Sequence, residues 1–200
     1  MAKAVTLASA VFRTNRCPFC AFVTNYLASA NLRIMVREIS AGGVVVRYRD
    51  NSWWMAAIEP PDEETRDVAL LHSKPAAARR KAVLALPKGL VDPGEKPLET
   101  ALREVLEETG VTAELIDKLG DIKYVYTRTW AGGERVFKIV SFYLMRYRSG
   151  RINEIAPEMR IEVARALWIP LADASKLLAY KGEKQMSQRA KEYVEEHPEL

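Results

Sequence analysis

Between Gly89 and Val111 the chain runs Gly-Leu-Val-Asp-Pro-Gly-Glu-Lys-Pro-Leu-Glu-Thr-Ala-Leu-Arg-Glu-Val-Leu-Glu-Glu-Thr-Gly-Val. A glycine turn precedes a short helix whose carboxylates stand where a helix least favours them. Pro97 suits the first helical turn, Glu99 complements its positive end, and Gly110 reads as the residue that stops it. Glu107 and Glu108 then fall in the last turn, where negative charge opposes the helix dipole, and Glu104 repels Glu108 at i, i+4. Each penalty is roughly a few tenths of a kcal/mol and all have one sign. A bound cation would reverse that sign. At 100° per residue, Leu98, Ala101, Leu102, Val105 and Leu106 form an apolar stripe suited to packing on a sheet. Glu104, Glu107 and Glu108 cluster on a separate arc flanked by Arg103.

A solvated acidic face is the alternative for an arbitrary Glu-rich helix, but the spacing argues against it. The segment has the form G-x5-E-x7-R-E-U-x-E-E-x-G-U, with U aliphatic, and meets every specified position. Ordinary residue usage gives a chance match on the order of one in ten million for a chain of this length. On these residues the chain resembles the Nudix hydrolases, and the resemblance extends from about Ile39 to Tyr180. The resemblance implies an α/β fold, an α/β/α sandwich around a mixed sheet.

The elements agree with that expectation. Ile39–Tyr48 and Trp53–Ile58 read as strands, with Gly42 and Gly43 permitting close backbone approach. Val68–His72 and Ala82–Leu86 are short strand candidates around a basic 74–81 loop. Thr112–Tyr126 and Arg135–Arg148 read as a hairpin across Ala131-Gly132-Gly133. Ala164–Ile169 is a last strand, Ala172–Tyr180 a helix, and Lys184–Glu196 a charged helix at the C-terminal end. The division this suggests is an extension over 1–35, a catalytic domain over 36–182 and the charged helix over 183–200.

Residues 1–37 contain no Asp or Glu, while Lys3, Arg13, Arg16, Arg33 and Arg37 are basic. Weak hydrophobicity, broken by Thr6 and Ser9, argues against a secretory signal, so this stretch reads as an extension without a core. Cys17 and Cys20 make a single CxxC, half of what a structural zinc site needs. No apolar run approaches the roughly eighteen residues of a membrane span, and the net charge of +4 suits anionic ligands without arguing for nucleic acid. A cytoplasmic protein is expected, and a homodimer is compatible with the sequence.

Carboxylates with no His or Cys nearby select a hard cation, Mg2+ or Mn2+, and metal-assisted attack of water on phosphorus. By resemblance, Glu107 and Glu108 are metal ligands, Glu104 is a ligand or the general base, and the Gly89 carbonyl completes the shell. Arg103 pairs with Glu95 to hold loop to helix. The base in this family sometimes comes from a later loop, where Glu158 and Glu162 stand. Leu86-Pro87-Lys88-Gly89 resembles the lead-in of diadenosine polyphosphate and diphosphoinositol polyphosphate hydrolases, with Lys88 as a phosphate contact. Tyr124 and Tyr126 fall where dinucleotide polyphosphate hydrolases carry a base-stacking tyrosine. Arg128, Arg135 and Lys138 are further candidates for phosphate contact. A small nucleotide is thus the expected partner, diadenosine polyphosphates first. A nucleoside triphosphate, a diphosphoinositol polyphosphate, and a non-catalytic nucleotide-binding module are the alternatives.

Overall fold

Every second residue of the strand β1, Val36–Arg49, belongs to a different core. Ala41 and Val45 point to one face of the sheet, Val44 and Val46 to the other. Ser40–Val46 is buried throughout, as expected of a strand covered on both faces. The computed structural model describes residues 35–61, 83–128 and 133–200. The basic N-terminal stretch with its CxxC, the Val68–His72 strand, the basic loop and the Ala131-Gly132 turn lie outside the described residues.

β1 pairs antiparallel with β2, Ser52–Glu59, and β2 with β6, Arg165–Pro170. On its other side β1 lies parallel to β5, Glu134–Gly150, which pairs antiparallel with β4, Val111–Arg128. The sheet order is β4-β5-β1-β2-β6, and a short β3, Lys88–Leu90, pairs with β1. Helix α1, Pro97–Thr109, covers one face through Ala101 and Val105. Helices α2, Ala174–Leu177, and α3, Lys181–Glu196, cover the other, where Ala174, Met186, Ala190 and Val194 meet Val44, Met55 and Phe142. The expected mixed sheet between helices is what the chain forms, and the final helix shares the larger core.

Three local expectations are corrected. Ala172–Tyr180 is no continuous helix. A 3-10 turn over Leu171–Asp173 leads into α2, and the chain then extends at Leu178, which bridges to Leu84. Ala179 N donates to Leu84 O at 2.9 Å, so pairing with the strand-like segment breaks the helix. Leu84 and Ala85 make only isolated bridges, to Leu178 and Ile58 respectively. The third concerns the stripe on α1. Leu106 is 47% exposed, while Glu104 and Glu108 are buried. Leu106 lies about 140° round the helix from Ala101 and Glu108 about 20°, so the buried arc centres on Ala101 and takes in the carboxylates.

Between β1 and the segment before β3 the backbones approach closely. A Cβ on Gly42 would stand 2.6 Å from Lys88 Cβ and nearer still to the Pro87 carbonyl oxygen. Gly43 N donates to that oxygen at 3.2 Å. Gly42→Ala is therefore expected to push Pro87 and Lys88 outward and to lower stability by about 1–3 kcal/mol. Chemical denaturation of the variant checks this, and wild-type stability would show that the two backbones separate freely.

Candidate active site

The site is assembled where β3 lies over α1. β3 holds its register on β1 by pairing Ala41 with Gly89 and Gly42 with Lys88. Below it, α1 starts at Pro97, and Glu99 reaches back to cap its first turn, accepting from Lys96 N at 3.0 Å. It ends at Gly110, whose φ of 78° and N–H to Leu106 O form a left-handed stop. The Glu104 carboxylate packs on the Cα of Gly89, so closely that a side chain at position 89 would occupy the carboxylate's place. Glycine is required there by contact, not by backbone angle. Lys88 N donates to Glu108 Oε2 at 2.7 Å.

Arg103 binds the loop to the helix. Its Nε and Nη2 donate to the two oxygens of Glu95 at 3.0 Å each, and Nη2 also reaches Leu90 O at 3.3 Å. Thr100 Oγ1 donates to Glu95 Oε2 at 2.6 Å. The Arg103 and Thr100 hydrogen bonds hold the Glu95 carboxyl down at about 2. Arg103 Nη1 also donates to Glu104 Oε1 at 2.8 Å and to Glu107 Oε2 at 2.9 Å. Arg103 thus bridges the bracing carboxylate and two of the expected metal ligands. Glu107 is the more exposed of these, with 37% of its side chain open to solvent.

Burial pushes the Glu108 carboxyl up to about 8, helped by the charges of Glu104 and Glu162 and opposed by the Lys88 amide and ammonium. Burial also raises Glu104, against the pull of Arg103. Among the described residues no three His, Cys, Asp or Glu side chains stand together in a ready-made metal cage. The donor chemistry nevertheless fits a hard cation. Only oxygen donors gather here, an ionised Glu108 is left with too little positive charge around it, and Mg2+ commonly takes one or two carboxylates with water and substrate phosphate completing its shell.

Two clefts meet at Lys88 and Tyr180. One, of about 810 Å³, is lined by Glu108, Glu162, Arg160, Ile161 and Pro61. The other, of about 720 Å³, is lined by Tyr124, Lys123, Lys181, Phe142 and Glu183. Glu162 closes the 3-10 turn Pro157–Ile161 and faces the acidic cluster, whereas Glu158, exposed in the same turn, lines neither cleft. Tyr124 lines the second cleft beside Lys88. Tyr126, whose ring centroid lies 6.2 Å from that of Tyr124, donates to Glu38 Oε2 at 2.8 Å, and Arg128 and Lys138 also pair with Glu38. These three side chains therefore share Glu38 as a common partner across β1, β4 and β5.

Glu183 and Tyr180 had no place in the sequence-based site. Glu183 is 3% exposed; its Oε2 accepts from Leu86 N at 2.9 Å and its Oε1 lies 3.5 Å from Lys88 Nζ. Helical spacing was the available signal, because Glu183 stands on the arc of Met186, Ala190 and Val194.

Comparison with known proteins agrees with this geometry. The NUDIX domain model matches residues 54–190. The chain is 34% identical over 160 residues to a Mycobacterium tuberculosis protein that carries the name MutT4, covering 80% of this chain and 57% of that one. It is 31% identical over 112 residues to the asymmetrical bis(5'-nucleosyl)-tetraphosphatase of Mus musculus, covering 54% and 69% respectively. The chain therefore spans less than two thirds of the MutT4 relative. In fold it resembles a Caenorhabditis elegans Ap4A hydrolase in a binary complex, with TM-score 0.56 at 19% identity over 80% of this chain and 98% of that one. The NUDIX domain of Shewanella oneidensis NrtR, crystallised with ADP ribose, aligns with TM-score 0.53 at 21% identity over 86% and 97%. With a matched segment of well over half its length, carrying the glycine, arginine and paired carboxylates just described, the chain belongs to the NUDIX family.

Proposed function

We propose that this chain hydrolyses a phosphoanhydride bond in a nucleoside diphosphate-linked compound, with Mg2+ as cofactor and dinucleoside polyphosphates as the preferred substrate class. The observation that carries the reading is the burial of Glu104 and Glu108 against β3, where two clefts meet at Lys88. A substrate with a nucleoside at each end of a phosphate chain needs space on both sides of the bond that breaks. The likeness to the Mus musculus tetraphosphatase supports the same class.

In this reading Glu104, Glu107, Glu108 and the Gly89 carbonyl hold the cation. A divalent cation held there neutralises phosphate charge and makes a water molecule more acidic. Lys88 offers its ammonium to a phosphate, and Tyr124 offers an aromatic face to a base. Arg103, locked on Glu95, keeps the loop and the helix carboxylates in register. Glu162 faces the Glu108 cleft without an ion-pair partner among the described residues, and we assign it the proton taken from the attacking water. Glu104 is less free for that role, because Arg103 and the Gly89 backbone hold its carboxylate. NUDIX members acting on nucleoside triphosphates share the same bond chemistry, so substrate preference is decided by the clefts.

A screen with Mg2+ over dinucleoside polyphosphates, nucleoside triphosphates, nucleotide sugars and inositol pyrophosphates is expected to give its highest kcat/KM with dinucleoside polyphosphates. Failure on every pyrophosphate would mark the chain as a binding module. Glu108→Gln and Glu162→Gln are each expected to lower kcat by about 100-fold or more while leaving the circular dichroism spectrum unchanged. Full Mg2+-dependent turnover in either variant would remove that residue from its role.

The cation also competes with a proton on Glu108. Its carboxyl is raised from an ordinary 4.5 to about 8 in the folded chain. A raised folded value means the stabilisation is complete below about pH 4.5 and is lost as pH climbs through 8. Metal-free protein is thus expected to melt at lower temperature at pH 8.5 than at pH 6. Glu108→Gln should flatten that slope and Mg2+ should restore the wild-type melting temperature at the alkaline end. An identical slope in wild type and variant would contradict the assignment.

A further inference from the structure

We propose that Glu183 is a positioning residue for substrate binding: from the first turn of α3 it holds the Lys88 side chain on the Tyr124 side of the site, where that ammonium meets substrate phosphate. The proposal rests on the reading of Lys88 as a phosphate contact.

Glu183 has the geometry of a bracket. Its Oε2 accepts from the Leu86 amide at 2.9 Å, and its Oε1 lies 3.5 Å from the Lys88 ammonium. One carboxylate therefore grips both the backbone that leads into β3 and the side chain that leaves it. The residue is 3% exposed, while Lys88 keeps 28% of its side chain open to the clefts. The carboxylate is thus sealed inside and the cation faces outward. A buried ion pair of this kind is weak support for stability, since an apolar pair of similar volume often does as well or better. Its value here is directional.

The helix that carries Glu183 has no freedom to withdraw it. Met186, Ala190 and Val194 are buried in the main core, one to three turns further along the same face. At the start of α3, a Cβ on Gly182 would stand 2.7 Å from the Ile122 side chain, so the first turn sits directly against β4. Arg189 adds a hydrogen bond to Leu119 O at 2.8 Å on the same strand.

The bracket also separates two charges that would otherwise meet. The Lys88 amide is bound to Glu108, and Lys88 lines both clefts. Without Glu183, the neighbouring Glu108 carboxylate is left to attract the ammonium, drawing Lys88 toward the acidic cluster and away from the Tyr124 cleft. Glu183 keeps the cation that binds phosphate apart from the carboxylates that hold metal. The NUDIX box alone does not provide this division, because α3 starts seventy residues beyond it.

The test uses the full chain and Glu183→Gln, which keeps the size of the side chain and an oxygen for the Leu86 amide. With the best substrate from the screen, KM is expected to rise about tenfold while kcat changes much less. Calorimetric binding of inorganic tripolyphosphate in Mg2+ is expected to weaken by a similar factor. Combined with Lys88→Met, Glu183→Gln is expected to add nothing further, because the two residues act as one unit. A purely structural role would instead lower the melting temperature and leave KM and tripolyphosphate affinity alone. Unchanged KM and affinity in Glu183→Gln, additive losses in the double variant, or absence of tripolyphosphate binding by the wild type would each overturn the proposal. Wild-type protein that binds tripolyphosphate but hydrolyses no phosphoanhydride would overturn the proposed activity and leave the bracket standing.

Discussion

Two carboxylates buried under a three-residue strand impose the main constraint on this molecule. Glu104 lies on the bare Cα of Gly89, and Glu108 accepts the Lys88 amide. Burying ionised groups costs several kcal/mol apiece unless partners are supplied. The surrounding structure supplies them from three directions. Arg103 reaches Glu104 from its own helix while locked on Glu95, the β3 backbone caps Glu108, and Lys88 contributes a cation held by Glu183. Gly42 permits the approach of Pro87 and Lys88 that sets β3 in this position. Compensation at Glu108 is incomplete, and its carboxyl consequently rests near 8 without metal. The same deficit is what a cation would fill.

The parts legible in the sequence were those governed by local rules. Pro97, Glu99 and Gly110 mark α1 because start, first turn and stop are decided within a few residues. The paired long strands β4 and β5 follow from their β-rich runs around a glycine turn. Less legible were features that depend on distant partners. β3 is a strand only because Ser40–Gly42 pairs with it, and three residues carry no periodicity of their own. The helix expected over Ala172–Tyr180 gives way at Leu178, which bridges to Leu84, far off in sequence. Leu106 fell on the apolar stripe by helical spacing, yet the burial of Glu104 and Glu108 moved the centre of the helix face away from it.

The site shows the same division. Gly89, Glu95, Arg103, Glu104, Glu107 and Glu108 lie within one turn-and-helix unit, so their spacing alone singled them out as candidates. Tyr124 and Tyr126 share one face of a strand, and only the tertiary structure shows the first beside Lys88 and the hydroxyl of the second bound to Glu38. Glu183 and Tyr180 come from the far end of the domain and reach the site through the packing of α3. Family membership follows from the box and its match, while the clefts beside the box are built from β4, the 3-10 turn and the start of α3. In the proposed reading the chemistry depends on a local motif and the selectivity on the global fold.

In the proposed reading a divalent cation takes the place of a proton on the buried Glu108 carboxylate. Calorimetric titration of metal-free protein with Mg2+ at pH 7, in two buffers of different ionisation enthalpy, reads this directly. With Glu108 near 8, most of a proton is expected to leave for each cation bound, so the apparent binding enthalpy should differ between the buffers. Mg2+ binding with the same enthalpy in both buffers, or no binding, would contradict the account.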